Sequence, residues 1–246
     1  MAPAQTLFWR ESGLNPSEFD VEIEGSEPYV VGGHTASGYW IGVDRATTLP
    51  GLFAAGDVAG GCPQKYVTGS FVEGELAARS AAKFAQGVAP NFDSSRIKEK
   101  IIRQVQQFLG QVSDSPYTVE SLEEAMQQAM DEYAGGIKTH YAYSESSLQI
   151  ARKHIERLTQ LSEHLKAQDF YGLLKIFELR ERLLVCQALI EHLAARKETR
   201  WHAFAEHLDY PERREDYKVF INSRLEQGQI KIIRRSLAAG KEEAVV

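Results

Sequence analysis

The chain has 246 residues, of which 43% are hydrophobic and 25% charged, a balance typical of a globular protein that buries a substantial core. Its formal net charge of −6 argues against a nucleic-acid-binding protein, because such binding depends mainly on clustered Lys and Arg. Two cysteines, Cys62 and Cys186, are too few for an iron–sulfur cluster, a disulfide framework or a cysteine-rich zinc site, and such low usage fits a cytoplasmic protein. We also find neither an apolar run of the roughly 18 residues that a membrane span needs nor a secretory signal.

The first part of the chain is rich in glycine and is predicted to be a partial α/β segment. Residues 28–31 and 39–43 are predicted to form short strands around a glycine-bearing turn. Residues 52–55 are predicted to be a buried strand that ends just before Asp57. After a glycine-rich loop, residues 71–84 are predicted to form an alanine-rich helix that packs against a sheet.

Beyond about residue 90 the chain is rich in Leu, Glu, Gln, Lys and Arg, and it is predicted to be a helical bundle. Apolar stripes at helical spacing predict four helices, through residues 97–109, 122–133, 148–165 and 169–193. The start signals are residues 118–121 and Asp169, and the glycine pair at 135–136 is a break. The basic run of Lys231, Arg234 and Arg235 is interpreted as a solvated helix face.

Residues 47–78 contain the pattern that indicates a ligand-binding site. A carboxylate that closes a strand can accept hydrogen bonds from ligand hydroxyls. The helix start near residue 69 offers unpaired N–H groups and the positive end of the helix dipole, which suit an electron-rich or anionic ligand edge. The alternative is that Asp57 only caps a turn and that the glycines only permit tight bends.

Family resemblance favours the first interpretation. The sequence TTLPGLFAAGD at 47–57 is similar to the last FAD-contacting motif of many flavoproteins of the two-dinucleotide type. Four ordered segments, at 26–41, 51–78, 130–139 and 173–201 continued by 209–224, resemble the alpha subunits of adenylylsulfate reductases, within the fumarate reductase and succinate dehydrogenase flavoprotein superfamily. The resemblance therefore implies an α+β fold, in which a partial FAD-binding α/β segment precedes a C-terminal α-helical bundle.

The resemblance also implies the cofactor and its contacts. FAD is the expected cofactor, with its ribityl chain bound by Asp57 and backbone clearance given by Gly56. Gly69, Ser70 and Phe71 are expected to contact the pyrimidine edge of the flavin through backbone N–H groups.

The family's dinucleotide fingerprint, G-x-G-x-x-G, is not found in this chain. We therefore expect a C-terminal fragment that is inactive alone and whose first partner is the missing N-terminal FAD-binding portion. The expected divisions are residues 1–26, a remnant of a capping segment; 27–90, the end of the FAD-binding domain; and 91–246, a helical domain.

Two residues are predicted to be catalytic. His34 lies between glycines and matches an active-site histidine of the family, so it is expected to contact substrate or handle a proton. Arg200 matches a C-terminal region that approaches the active site or the partner subunit, although a core or interface anchor is the alternative for this arginine. No metal is expected, since His192, His202 and His207 lack a supporting ligand pattern.

The predicted parent reaction is the reduction of adenylylsulfate to AMP and sulfite, or the reverse, with electrons exchanged with a ferredoxin-like beta subunit that carries iron–sulfur clusters. Dicarboxylate enzymes of the superfamily place an arginine in the loop before the last helix of the flavin domain. Residues 57–78 contain no arginine, and their only cation is Lys65. A dicarboxylate oxidoreductase remains the enzymatic alternative, and a non-catalytic helical module with a vestigial flavin segment is the other.

Overall fold

The computed structural model describes residues 9–13, 15, 18, 38–60, 67–88, 95–110, 116–200 and 205–236. These residues form an irregular segment at 38–60, a long helix, a helical bundle and two small β-structures. The predicted fold class, a partial α/β-type segment followed by a helical bundle, is confirmed. No helix in the described ranges is both long enough and apolar enough to cross a membrane.

The 38–60 segment is held by isolated β-bridges, which pair Tyr39 with Ala59, Ile41 with Thr47 and Ala46 with Phe53. The predicted strand at 52–55 is therefore reduced to one bridging residue, and Asp57 lies in a 3-10 turn, Gly56–Val58, that follows it. The chain bends between the bridges because Arg45, Gly51 and Gly56 have positive φ angles. The predicted strand at 28–31 lies outside the described residues.

Helix α1 spans Val67–Gln86 and begins four residues earlier than predicted. Two contacts fix it to the 38–60 segment. The rings of Phe53 and Phe84 meet edge to face with centroids 6.1 Å apart. The guanidinium of Arg45 forms a bidentate ion pair with Glu73, a buried residue of α1.

The four predicted helices of the bundle are confirmed. Each follows from an apolar stripe, and three of them begin at a described capping side chain. Thr118 and Ser144 cap their helices with reciprocal capping boxes, and Asp169 accepts a hydrogen bond from the amide of Gly172. The helices are α2 (Ser95–Phe108), α3 (Val119–Tyr133), α4 (Glu145–Ser162) and α5 (Phe170–Ala195).

Helix α5 is the centre of the bundle and packs against α2, α3 and α4. Its inner face and the facing stripes of the other helices make one continuous apolar core. Burying side chains of this size stabilises the fold by about 1.5 to 3 kcal/mol each. The fully buried members include Phe108, Leu122, Leu148, Ile155, Ile176, Leu179, Leu183 and Ile190.

Two short strands and a hairpin complete the fold. Strand β1 (Ala142–Tyr143) pairs in parallel with β2 (Glu206–His207). Strands β3 (Val219–Glu226) and β4 (Gln229–Ser236) form an antiparallel hairpin that packs on α5. Its two-residue turn, Gln227 and Gly228, has positive φ at both positions, as the favoured hairpin turns require.

The hairpin corrects one interpretation of the sequence. Lys231, Arg234 and Arg235 lie on strand β4, so the interpretation of this basic run as a helix face is wrong. Alternating β-branched residues in QIKII favour a strand, and the pairing with β3 provides the hydrogen bonds that a helix would otherwise supply.

Candidate functional site

The predicted cofactor-binding residues lie in two structures that touch each other, the Gly56–Val58 turn and the start of α1. Gly56 is buried with φ +67°, and Asp57 beside it is exposed. A β-carbon at Gly56 would lie 3.1 Å from Oγ of Ser70 and 3.4 Å from its Cβ. Glycine at position 56 therefore provides clearance for helix α1 as well as a left-handed backbone conformation.

The start of α1 separates the three residues predicted to donate backbone N–H groups. The amides of the first three residues of an α-helix have no partner within the helix, so that of Gly69, the third residue, belongs to this group. Ser70 and Phe71 are the fourth and fifth residues, so their amides fall within the helical ladder, because the helix begins at Val67 and not near residue 69. The ring of Phe71 is 76% exposed.

The surroundings of this turn fit a flavin edge on two counts. The first turn of α1 carries no acidic residue, so nothing in it opposes the positive end of the helix dipole. Large apolar side chains are exposed around it, and they would be buried by a ring system or by further protein: Val58, Val67, Phe71 and Val72.

The Gly56–Val58 turn, called the Asp57 turn below, and the residues that follow it lie in close backbone contact with residues 38 and 39. The amide of Tyr39 donates to the carbonyl of Val58 at 2.7 Å, and the amide of Gly60 donates to the carbonyl of Tyr39 at 2.8 Å. A β-carbon at Gly38 would lie 2.6 Å from the carbonyl oxygen of Val58, so only glycine permits this approach. His34, the predicted catalytic histidine four residues before Gly38, lies outside the described residues.

Arg200 is not brought to the Asp57 turn by any contact among the described residues, and its guanidinium is bound within the C-terminal region. Its Nε and Nη2 donate to the two oxygens of Glu198, each at 2.8 Å, and Nη2 also donates to the carbonyl of Arg214 at 2.9 Å. These contacts favour the alternative of a core anchor for Arg200.

Glu198 is the buried centre of this cluster and was missed by sequence reasoning. Its carboxylate also accepts from Nη1 of Arg196 at 2.6 Å and from the amide of Arg214 at 2.9 Å. Burial is the largest influence on its pKa and opposes the charged form, but the hydrogen bonds from Arg200, Arg214 and Arg196 together outweigh it and lower the pKa. The signal in the sequence is one acid among three bases at 196–200.

His207 is the second residue that sequence reasoning did not place. Its side chain is fully buried, with ring centroids 4.9 Å from Tyr143 and 4.7 Å from Tyr210. Burial lowers its pKa, and Nε2 has no hydrogen-bond partner among the described residues. The described ranges contain no group of three metal-ligating side chains around it or elsewhere.

Comparison with curated proteins finds two relatives of this chain. The alpha subunit of adenylylsulfate reductase from Megalodesulfovibrio gigas is 26% identical over 259 residues, which cover 91% of this chain and 39% of that subunit. An uncharacterized FAD-dependent oxidoreductase from Methanocaldococcus jannaschii is 26% identical over 192 residues, which cover 75% of this chain and 33% of that protein. No protein-family model matches the chain.

Comparison with solved structures also finds adenylylsulfate reductase. Adenylylsulfate reductase from the hyperthermophile Archaeoglobus fulgidus matches with a TM-score of 0.81 and 29% identity, over 98% of this chain and 43% of that chain. Quinol fumarate reductase from Escherichia coli shares the fold, with a TM-score of 0.65 and 18% identity over 82% of this chain and 36% of that chain. The chain thus spans about two fifths of the length of the adenylylsulfate reductase subunits it matches.

Proposed function

Because this chain is homologous to the alpha subunit of adenylylsulfate reductase, we propose that it supplies the ribityl and ring side of an FAD site in an oxidoreductase of that reaction class. The parent enzyme would reduce adenylylsulfate to AMP and sulfite, or catalyse the reverse reaction. The other half of the FAD site would come from an N-terminal portion, as in a full-length alpha subunit.

The observation that carries the proposal is the contact between the Gly56–Val58 turn and the start of helix α1. This contact brings the turn that carries the exposed carboxylate of Asp57 against the helix start that carries the amide of Gly69, which has no partner within the helix. A ligand that needs an acceptor for hydroxyl groups and donors for an electron-rich ring edge matches this arrangement.

The chain's own residues would then have distinct tasks. Asp57 would accept hydrogen bonds from the ribityl hydroxyls, and the amide of Gly69 would donate to the pyrimidine edge and stabilise negative charge there. His34 would contact the sulfuryl group or handle a proton next to it. The bound flavin would supply the two-electron chemistry that no side chain provides.

The substrate assignment rests on residues 57–78. A dicarboxylate is bound best by a guanidinium, which forms two parallel hydrogen bonds with a carboxylate. Arginine is absent from residues 57–78, and this absence favours a sulfuryl substrate over fumarate or succinate. The fold likeness to fumarate reductase does not weigh against this choice, since a fold can be shared between different substrates.

The electron partner would be a small iron–sulfur protein. The two cysteines of this chain cannot hold such a cluster, whose iron atoms are each bound by cysteine thiolates. Electrons would therefore pass between the flavin and clusters in a ferredoxin-like beta subunit.

The test is to co-express this chain with the N-terminal portion of a homologous alpha subunit and to measure bound flavin. We expect the complex to be yellow with stoichiometric FAD and this chain alone to be colourless. Replacing Asp57→Ala should weaken FAD binding about tenfold, the scale of one lost hydrogen bond to a charged group. The exposed carboxylate Glu75 on α1 gives the matched control, Glu75→Gln, which should bind FAD normally.

Turnover then tests the substrate. With an artificial electron carrier, the flavin-loaded complex should reduce adenylylsulfate to AMP and sulfite or catalyse the reverse oxidation. It should not turn over fumarate. His34→Ala should lower kcat strongly. Turnover of fumarate, or wild-type rates with His34→Ala, would contradict the proposal.

A further inference from the structure

Arg235 on strand β4 links the C-terminal hairpin to the segment that leads to Asp57. Its guanidinium carbon lies 4.6 Å from the ring centroid of Trp40 and 4.5 Å from that of Phe220. The cation therefore contacts one ring from the 38–60 segment and one from the neighbouring strand β3. Nε of Arg235 also donates a long hydrogen bond, 3.4 Å, to Oδ1 of Asn222.

This contact is partly removed from water. Arg235 is half-buried, and burial lowers the pKa of its guanidinium. Cation–π contacts are worth more in such a desolvated position than on an open surface. A planar guanidinium stacks on aromatic faces in a way that an ammonium group does not, so arginine is specifically suited to this position.

Trp40 is connected to the Asp57 turn through the backbone of the adjacent residue. Its neighbour Tyr39 is joined to Val58 and Gly60 by the two backbone hydrogen bonds described above. A β-carbon at Gly60 would lie 2.8 Å from the carbonyl oxygen of Tyr39, so only glycine permits this close approach of the two backbones. The position of Trp40 therefore determines the position of the chain on the C-terminal side of Asp57.

We propose that Arg235 is a positioning residue of the flavin site: by holding Trp40 it fixes the turn that carries Asp57. The effect on FAD binding rests on the proposed function, whereas the contact between Arg235 and Trp40 does not depend on it. A hairpin far along the chain would thus contribute to cofactor affinity without touching the cofactor.

The anchoring step is tested on this chain by hydrogen–deuterium exchange of the Tyr39 and Gly60 amides. Arg235→Ala should accelerate exchange at both amides about tenfold, the scale of one desolvated cation–π contact, while amides in α3, α4 and α5 keep their protection. Arg235→Lys should behave like Arg235→Ala, because the flat stack is lost although the charge is kept. Lys231→Ala, at an exposed position on the same strand, is the matched control and should change neither amide.

The cofactor step is tested on the co-expressed complex by FAD titration. Arg235→Ala and Arg235→Lys should each raise the FAD dissociation constant about tenfold relative to Lys231→Ala. Unchanged exchange at Tyr39 and Gly60, equal acceleration throughout the bundle, or full rescue of FAD affinity by Arg235→Lys would each overturn the inference. Absence of FAD from the wild-type complex would instead contradict the proposed function, and the exchange result would still decide whether Arg235 anchors the turn.

Discussion

Arg45 and Glu73 form a bidentate ion pair between the 38–60 segment and helix α1. Nη2 of Arg45 donates to Oε1 of Glu73 at 2.8 Å, and Nε donates to Oε2. The side chains are 20% and 10% exposed, so water screens the pair poorly. The pair holds together the two structures that carry the candidate flavin contacts.

Removing one member of this pair should be costly. Glu73→Gln removes the carboxylate charge that Arg45 pairs with, and breaking a buried pair in this way typically costs about 3 kcal/mol. Urea unfolding followed by circular dichroism should show the loss. Glu75→Gln on the same helix breaks an exposed pair with Arg79 and should cost at most about 0.5 kcal/mol. Equal losses in the two variants would show that burial does not strengthen the Arg45 pair.

Gly56→Ala should destabilise the Asp57 turn. At φ +67° an L-residue costs about 1 to 2 kcal/mol, and the added methyl group would press on Ser70. The midpoint of urea unfolding should fall accordingly, and FAD binding by the co-expressed complex should weaken.

The matched control for this change is Gly74→Ala, inside helix α1. Apart from its own helical turn, the described part of the chain leaves open space around a β-carbon at this position, and alanine in a helix interior stabilises by about 0.5 to 1 kcal/mol relative to glycine. A Gly56→Ala variant that gained stability like Gly74→Ala would rule out strain at position 56.

Glu198→Gln should unfold the C-terminal region more easily than other single carboxylate changes. The neutral amide no longer balances Arg196 and Arg200, and loss of a buried partner of this kind costs about 3 to 5 kcal/mol. Thermal unfolding of the variant is the measurement. Glu215→Gln, at an exposed position near Arg213, is the control and should leave the melting temperature unchanged.

Arg200→Lys separates the two roles considered for this residue. A lysine cannot make the two parallel hydrogen bonds to Glu198, so an anchor role predicts a lower melting temperature. In the flavin-loaded complex the anchor role also predicts near-normal turnover at temperatures where the variant is folded. Normal stability with a strongly reduced kcat would instead support the catalytic prediction for Arg200.

His207 should make the fold sensitive to mild acid. Burial is the main cause of its lowered pKa, and the cation of Lys197 adds to it, while the carboxylates of Asp209 and Glu145 act in the opposite direction. The folded state therefore binds a proton less readily than the unfolded chain, whose histidine titrates near pH 6.5. The stability from neutral His207 is complete above that pH. It is lost by up to about 1.4 kcal/mol per pH unit as the pH falls toward the folded-state pKa.

His207→Phe keeps a ring between the two tyrosines but cannot be protonated. The free energy of unfolding, measured by urea titration at several pH values between 7 and 5, should fall less steeply for this variant than for the wild type. His154→Gln, at an exposed position on α4, is the matched control for the replacement of a histidine. A wild-type slope retained in His207→Phe would assign the acid sensitivity to other groups.

The parts of the fold that were predicted correctly are those with local signals. Apolar stripes predict each helix of the bundle, and the side-chain caps Thr118 and Asp169 mark where two of them begin. Helix α1 begins before the predicted start near residue 69, because residues 67 and 68 follow a glycine-rich stretch and carry no start signal of their own. The site residues themselves, His34 among them, remain predictions.

The sequence by itself determined the helices of the bundle, the turn residues that glycine must occupy, and the motif that resembles a flavin-binding segment. These features depend on neighbours three or four positions away, or on the φ angle of one residue. Only the tertiary structure decided that Arg235 stacks on Trp40, that Glu198 is buried among arginines and that His207 loses its contact with water. Such contacts join distant parts of the chain, and their strength comes from the exclusion of water, which exists only once the chain has folded.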